Sequence, residues 1–162
     1  MAGHGKETEK TNVMRILDSR KIKYSFHAYE ADPTFTGKEI AALLNEEADH
    51  VFKTLVTQGK SNRYYVFVIP VETELDLKKA AKSVGEKSVD MIRQKDLLPL
   101  TGYVHGGCSP VGMKKAFPTL IHETAASLDR IFVSAGRVGA QIELDPSALC
   151  GIVSAQYANL IK

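Results

Sequence analysis

The sequence predicts a mixed α+β domain, with strands arriving as hairpins and short pieces and three or four helices packed outside them. Three observations carry this expectation. Two β-branched and aromatic runs, Val51-Phe-Lys-Thr-Leu-Val56 and Arg63-Tyr-Tyr-Val-Phe-Val-Ile69, flank the turn-rich Gln58-Gly-Lys-Ser-Asn62, the pattern of an antiparallel hairpin. Short apolar stripes of helical period stand before and after that pair. The regular strand–helix–strand alternation of a parallel, doubly wound sheet is missing.

A first helix is expected from about Thr8 to Arg20, because Val13, Ile16 and Leu17 fall at i, i+3 and i+4. Residues 1–7 before it are polar and expected to be loose. Tyr24-Ser-Phe-His-Ala-Tyr29 alternates large and small side chains and reads as a strand, and Asp32-Pro33 then breaks the chain. Thr36 and Glu39 have capping-box spacing, with Ile40, Leu43 and Leu44 following at helical positions. After the hairpin, Asp76 caps a helix carrying Leu77, Ala80, Ala81 and Val84, and Gly85 closes it. One helical turn is expected at Arg93–Leu98 and a loop from Thr101 to Gly112. Thr119-Leu-Ile-His122, Arg130-Ile-Phe-Val133 and Ala140-Gln-Ile-Glu-Leu144 read as short strands. Asp145-Pro146, an N-cap followed by proline, opens a last helix through Leu149, and Tyr157–Ile161 forms a final strand.

The 162 residues suit a single domain spanning 1–162. Apolar residues at 44% and charged residues at 25% are ordinary for a chain with one core. The longest apolar run is a handful of residues, against the about 20 that a membrane helix needs. The polar start offers no apolar segment of a secretory signal, and Cys108 and Cys150 cannot make a disulfide scaffold, so a cytoplasmic location is expected. A net charge of +2 and a pI near 8.5 fall short of the domain pI above about 9 usual for a protein living on phosphate contacts. A small substrate carried on a nucleic acid stays open; a histone-like role does not.

Several residues stand out chemically. Lys53 interrupts an otherwise apolar strand. Either its stem packs while its amine reaches water, or its ammonium sits at the floor of a pocket and binds an anion or carbonyl oxygen. The loop from Thr101 to Met113 holds Gly102, Gly106, Gly107 and Gly112, which let backbone amides approach a ligand and stabilise an oxyanion or a phosphate. It is equally the composition of a plain surface turn. It matches neither the phosphate-loop nor the dinucleotide pattern, so no ATP or NAD cofactor is expected. Cys108 lies in this loop; as a nucleophile it needs a base such as His105, His27 or His122, and no spacing rule links them. Val133-Ser-Ala-Gly-Arg-Val-Gly139 carries Ser134 and Arg137 at a strand end, a hairpin corner or two polar pocket groups. The histidines are scattered without metal-ligand spacing, so no metal is expected. Lys78, Lys79, Lys82 and Lys87, with Lys114 and Lys115, form the densest basic stretch, a solvated face or a phosphate contact.

Four stretches together resemble the YbaK/EbsC family. They are Phe52-Lys-Thr-Leu55, Leu77-Lys-Lys-Ala-Ala-Lys-Ser83, Gly102-Tyr-Val-His-Gly-Gly-Cys-Ser-Pro-Val-Gly-Met-Lys-Lys115 and Val133-Ser-Ala-Gly-Arg-Val-Gly-Ala-Gln-Ile-Glu-Leu144. Each is weak alone; in this order and spacing, along about Thr11 to Ile161, they are specific. That family consists of free-standing Cys-tRNA(Pro) deacylases, similar to the editing insertion domain of prolyl-tRNA synthetase. The resemblance implies a mostly antiparallel sheet bent into a partial barrel. It implies a substrate of cysteine wrongly esterified to tRNA(Pro), and prolyl-tRNA synthetase as a partner.

The family's signature lysine falls on Lys53 and its glycine loop on Gly106-Gly-Cys-Ser-Pro110, so Lys53, Gly106 and Gly107 are expected to act on the ester. Tyr29, Thr36, Thr54, Ser109, Pro110 and Ser134 are expected to bind substrate, and Lys78, Lys79, Lys82 and Arg137 to touch tRNA. A pocket aromatic that some members place just before a glycine is out of register, because Thr36 precedes Gly37 and Phe35 stands one earlier. The implied chemistry is substrate-assisted, the cysteine's own thiol attacking its ester. The alternatives are a deacylase of another small amino acid such as alanine, a binding module for a nucleotide or acyl-tRNA end, and an enzyme dependent on Cys108.

Overall fold

A computed structural model describes residues 10–30 and 34–162. The expected loose start, the first residues of the helix expected from Thr8, and the Asp32-Pro33 break lie outside these residues. Helix α1 (Asn12–Ser19) is capped by Thr11, whose hydroxyl accepts from the Met14 amide at 3.3 Å, and it buries Val13, Met14 and Leu17. Strand β1 spans Ser25–Ala28. Helix α2 (Gly37–Leu43) begins on the expected capping box: Thr36 Oγ1 accepts from the Glu39 amide, and the Glu39 carboxylate accepts from the Thr36 amide, both at 3.2 Å. Strands β2 (Phe52–Gly59) and β3 (Tyr64–Pro70) form the expected hairpin. Helix α3 (Leu77–Val84) is capped by Asp76, which accepts from the Lys78 and Lys79 amides at 3.0 Å, and it ends on Gly85 at φ 73°. The remaining elements are β4 (Val89–Met91), α4 (Gln94–Thr101), β5 (Thr119–His122), β6 (Ile131–Ser134), β7 (Ala140–Leu144), α5 (Pro146–Val153) and β8 (Gln156–Ala158).

The strands make two sheets. One is antiparallel, in the order β1-β7-β6; the other runs β4-β2-β3-β5-β8. A bridge between Val51 and Phe132 ties the sheets together at the start of β2. The result is an incompletely closed barrel. One core fills its inside: Phe52, Val56, Val66 and Val68 face Ile131, Val133, Ala140 and Ile142, with α1 and Leu149 of α5 closing the ends. A second core lies beneath α3, where Ala80 and Ala81 cover Phe67, Ile69 and Leu120. A small third cluster seats α2, through Ala41, on Val51, Val71 and Phe132.

The fold departs from the sequence-based expectation in several places: the last strand spans Gln156–Ala158 and not Tyr157–Ile161, and the described residues hold five helices where three or four are expected. Strands β3–β5 and β5–β8 pair in parallel, because the long excursions between them return each strand in the same direction. Strand β4 was not expected; three residues with one buried side chain leave too short a pattern. Helix α4 runs through Pro99 to Thr101, whose hydroxyl donates to the Leu97 carbonyl at 2.7 Å. Helix α5 continues past Leu149 and across Gly151 to Val153.

Candidate active site

The pairing of β2 creates the site. Along its whole length β2 is bonded to β3, but β4 pairs only with Thr57–Gly59. A cavity of about 240 Å³ lies along the uncovered first half of the strand. Because the cavity meets an edge, side chains from both faces of β2 reach it: Lys53 and Leu55 from one, Phe52 and Thr54 from the other. Lys53 is only half buried, and burial lowers its ammonium below the ordinary lysine value while the charge of Glu74 pulls it back up. Of the two readings of Lys53, the structure gives the one that faces a pocket.

The glycine loop forms a second wall through His105, Gly106 and Cys108. Its ends are tied at the base, where the Lys114 amide donates to the Thr101 carbonyl at 3.1 Å. Its middle is fixed by the Tyr103 hydroxyl, which donates to the Val111 carbonyl at 2.5 Å. Val104 to Gly107 make a tight turn closed by the Gly107 amide on the Val104 carbonyl at 3.0 Å, with Gly106 at φ 87°. A positive φ at the third turn position is the type II pattern that calls for glycine. The Gly107 N–H is thus committed within the loop, and Gly107 backs onto the main chain of Arg137 and Val138, where an added Cβ would sit 3.0 Å away. Burial pushes the Cys108 thiol up to about 12, so it is a protonated wall, not a thiolate.

The third wall comes from the antiparallel sheet. Ser134 and Gln141 are cross-strand partners on β6 and β7 and share its non-core face. The Ser134 hydroxyl oxygen accepts from the Gly136 amide at 3.1 Å, which leaves its proton to donate. Tyr29, just after β1, receives the Gln141 side-chain amide on its hydroxyl at 3.1 Å. Burial raises the Tyr29 phenol above its usual value, so it stays protonated at neutral pH. Phe35, Gly37 and Ile40, at the start of α2, complete the apolar side.

Of the residues picked from sequence, the structure brings Lys53, Thr54, Gly106, Tyr29 and Ser134 to one cavity, together with His105 and Cys108. The others sit elsewhere. Thr36 caps α2 beside the cavity-lining Phe35 and Gly37. Ser109 is fully buried and accepts from the Val111 amide at 3.3 Å, and Pro110 lines a separate groove with Ile16 and Met113. Lys78 and Lys82 are exposed on α3, while the Lys79 ammonium donates to the Ile161 carbonyl at 2.8 Å. Arg137 lies with its guanidinium 5.7 Å from the Phe26 ring centre. Glu47, Asp49 and His50 bring donor atoms within 4.8 Å of one another, but none lines the cavity. Sequence reasoning missed Gln141 as a site residue. Its alternation with Ala140 and Ile142 marks it as facing away from the core, but its pairing with Ser134 is a tertiary fact.

An edge lysine, a glycine turn and a strand-end hydroxyl thus line one cavity of about 240 Å³. The chain belongs to the aminoacyl-tRNA editing domain family, which it matches over residues 31–151. It is 44% identical over 156 residues, 96% of this chain and 95% of the relative, to an Enterococcus faecalis protein, EbsC, provisionally named a Cys-tRNA(Pro)/Cys-tRNA(Cys) deacylase. It is 27% identical over 105 residues to the prolyl-tRNA editing protein ProX of Acetoanaerobium sticklandii, covering 64% of this chain and 63% of that one. A crystal structure provisionally described as a trans-editing enzyme for prolyl-tRNA synthetase superposes with a TM-score of 0.79 at 26% identity, covering 94% of this chain and 98% of that one. No helix among the described residues is long and apolar enough to cross a membrane.

Proposed function

We propose that this protein is a trans-editing deacylase that clears cysteine mischarged on tRNA(Pro). The observation that carries the proposal is the convergence of Lys53, Gly106 and Ser134 on one cavity of about 240 Å³. That volume suits an aminoacyl group and leaves the RNA outside. In the proposed reaction the substrate thiol attacks its own ester carbonyl. A sulfur–carbon bond forms, the bond from the carbonyl carbon to the ribose oxygen breaks, and the thiol proton passes to that oxygen. The products are a cyclic thiolactone and free tRNA. The chain need only hold thiol and carbonyl in near-attack geometry and stabilise the developing oxyanion. The Gly106 amide and the Ser134 hydroxyl are the donors for that charge, since the Gly107 amide serves the turn. Lys53 anchors the phosphate or ribose end of the terminal adenosine. A nucleophilic Cys108 is disfavoured by its protonated thiol.

Selection against cysteine in a proline pocket is limited to about 1–3 kcal/mol for a methylene-scale difference, which is why a second site is useful. Lys78, Lys82 and Arg137 supply weak RNA contacts, and prolyl-tRNA synthetase supplies tRNA selection in the cytoplasm. The test is a deacylation panel with Cys-, Ala-, Ser- and Pro-charged tRNA(Pro). Cys-tRNA(Pro) is cleared fastest, and Lys53→Ala lowers clearance by at least about 10-fold. Equal clearance of Ala-tRNA(Pro) rules out the thiol-assisted step, and no turnover of any substrate leaves a binding module.

A further inference from the structure

We infer that Gln141 is a substrate-binding residue: with Thr54, it reads the free α-ammonium of the aminoacyl group. This rests on the deacylase proposal and deepens it. Two buried side-chain atoms, Thr54 Oγ1 and Gln141 Oε1, lack a hydrogen-bond partner among the described residues, and both residues line the same cavity. Buried polar atoms are almost always paired, so two orphans on one small cavity mark the place of a ligand group. Gln141 is 5% exposed. Its amide nitrogen is spent on Tyr29, and its backbone sits between β6 and β1, opposite Ser134 and His27. With the nitrogen bonded to Tyr29, the buried carbonyl oxygen is left as an acceptor without a donor among the described residues.

The chemistry of the substrate selects the partner. The ester carbonyl and any oxyanion are acceptors and gain nothing from Gln141 Oε1, and a thiol is a weak single donor. An α-ammonium is compact and carries three donors, enough for Gln141 Oε1 and Thr54 Oγ1 together. It also lies two bonds from the carbonyl carbon, through Cα, so holding it fixes the ester against Gly106 and Ser134. Lys53 shares the cavity, and the RNA phosphate offsets its charge in the complex.

The experiment compares kcat/KM on Cys-tRNA(Pro) and on its desamino analogue, 3-mercaptopropionyl-tRNA(Pro), which keeps thiol and ester and loses the amine. The wild type is compared with Gln141→Leu and Gln141→Glu. The Leu variant loses roughly 10- to 100-fold on the amine-bearing substrate, the size of a hydrogen bond to a charged group, and little on the analogue. The Glu variant, which keeps an acceptor oxygen, retains the wild-type ratio. Because the ratio is internal to each variant, partial unfolding does not change it. Equal losses on both substrates, as a ribose-hydroxyl contact or a purely structural role gives, overturn the inference, as does an unchanged ratio in Gln141→Leu. The same ratio read as Kd on 3′-cysteinylamino- and 3′-mercaptopropionylamino-adenosine separates the two proposals. Amine-dependent binding without turnover defeats the deacylase reading and leaves the role of Gln141 standing.

Discussion

Replacing Lys53 by methionine separates function from stability, because the two respond in opposite directions. The stem length is kept and the charge removed. Lys53 holds no ion pair within contact distance among the described residues, and burial already disfavours its charged form. Its folded-state pKa is lowered, so the unfolded chain binds this proton more tightly. The site's contribution to stability is therefore lost as pH falls from the ordinary lysine value of 10.5 through the folded value. At neutral pH the charge costs stability, and removing it leaves the thermal midpoint unchanged or raised. Activity goes the other way. A charge-assisted hydrogen bond to the RNA end contributes roughly 1.5–3 kcal/mol, or about 10- to 150-fold in kcat/KM. The assays are steady-state deacylation of Cys-tRNA(Pro) and thermal unfolding at pH 7. Full activity in Lys53→Met, or an activity loss accompanied by a midpoint lowered by more than about 4 °C, a kcal/mol or more for a chain of this size, refutes the anchor role.

Further outcomes follow from the same geometry. His122 is 3% exposed and accepts from the Leu160 amide at 3.2 Å; burial lowers its pKa below 6.5, with Glu123 opposing and Lys79 assisting. The unfolded chain therefore protonates first, and the midpoint falls as pH drops below 6.5 while that of His122→Gln falls less, checked by calorimetry from pH 7.5 to 5. Cys108→Ala keeps kcat/KM within about threefold, and the native thiol resists iodoacetamide at pH 7.5; a dead variant returns the nucleophile role to the cysteine. Gly107→Ala, whose Cβ meets the Arg137 and Val138 main chain at 3.0 Å, lowers the midpoint by about 3–10 °C through overpacking of roughly 1–3 kcal/mol. Thr36→Ala removes the cap of α2 and costs about 1 kcal/mol in denaturant unfolding, with the cavity's Phe35 side the first to loosen.

Local chemistry made much of this architecture legible. The capping box at Thr36, the Asp76 and Asp145 caps and the hairpin around Gln58–Asn62 are governed by neighbours within a few residues, and each lies where the residues placed it. The resemblance carried the loop and Lys53 further, to one site. What stayed hidden depends on partners far apart in sequence. The parallel pairing of β3, β5 and β8 joins segments separated by long excursions, and β4 exists only because β2 has an edge to offer it.

The site divides along the same line. Residue type and spacing alone were enough to single out Lys53, the glycine turn and Ser134, because an isolated charge in an apolar strand and a run of glycines have few local uses. Whether those groups meet was decided by the bridge from Val51 to Phe132, which swings the antiparallel sheet against the uncovered start of β2. The same packing took Ser109 and Pro110 away from the cavity, committed the Gly107 amide to a turn and put Gln141 in view. A hydrogen bond is a matter of ångströms between atoms the chain brings together only on folding, so a string of residue types can nominate a donor and cannot say what it will face.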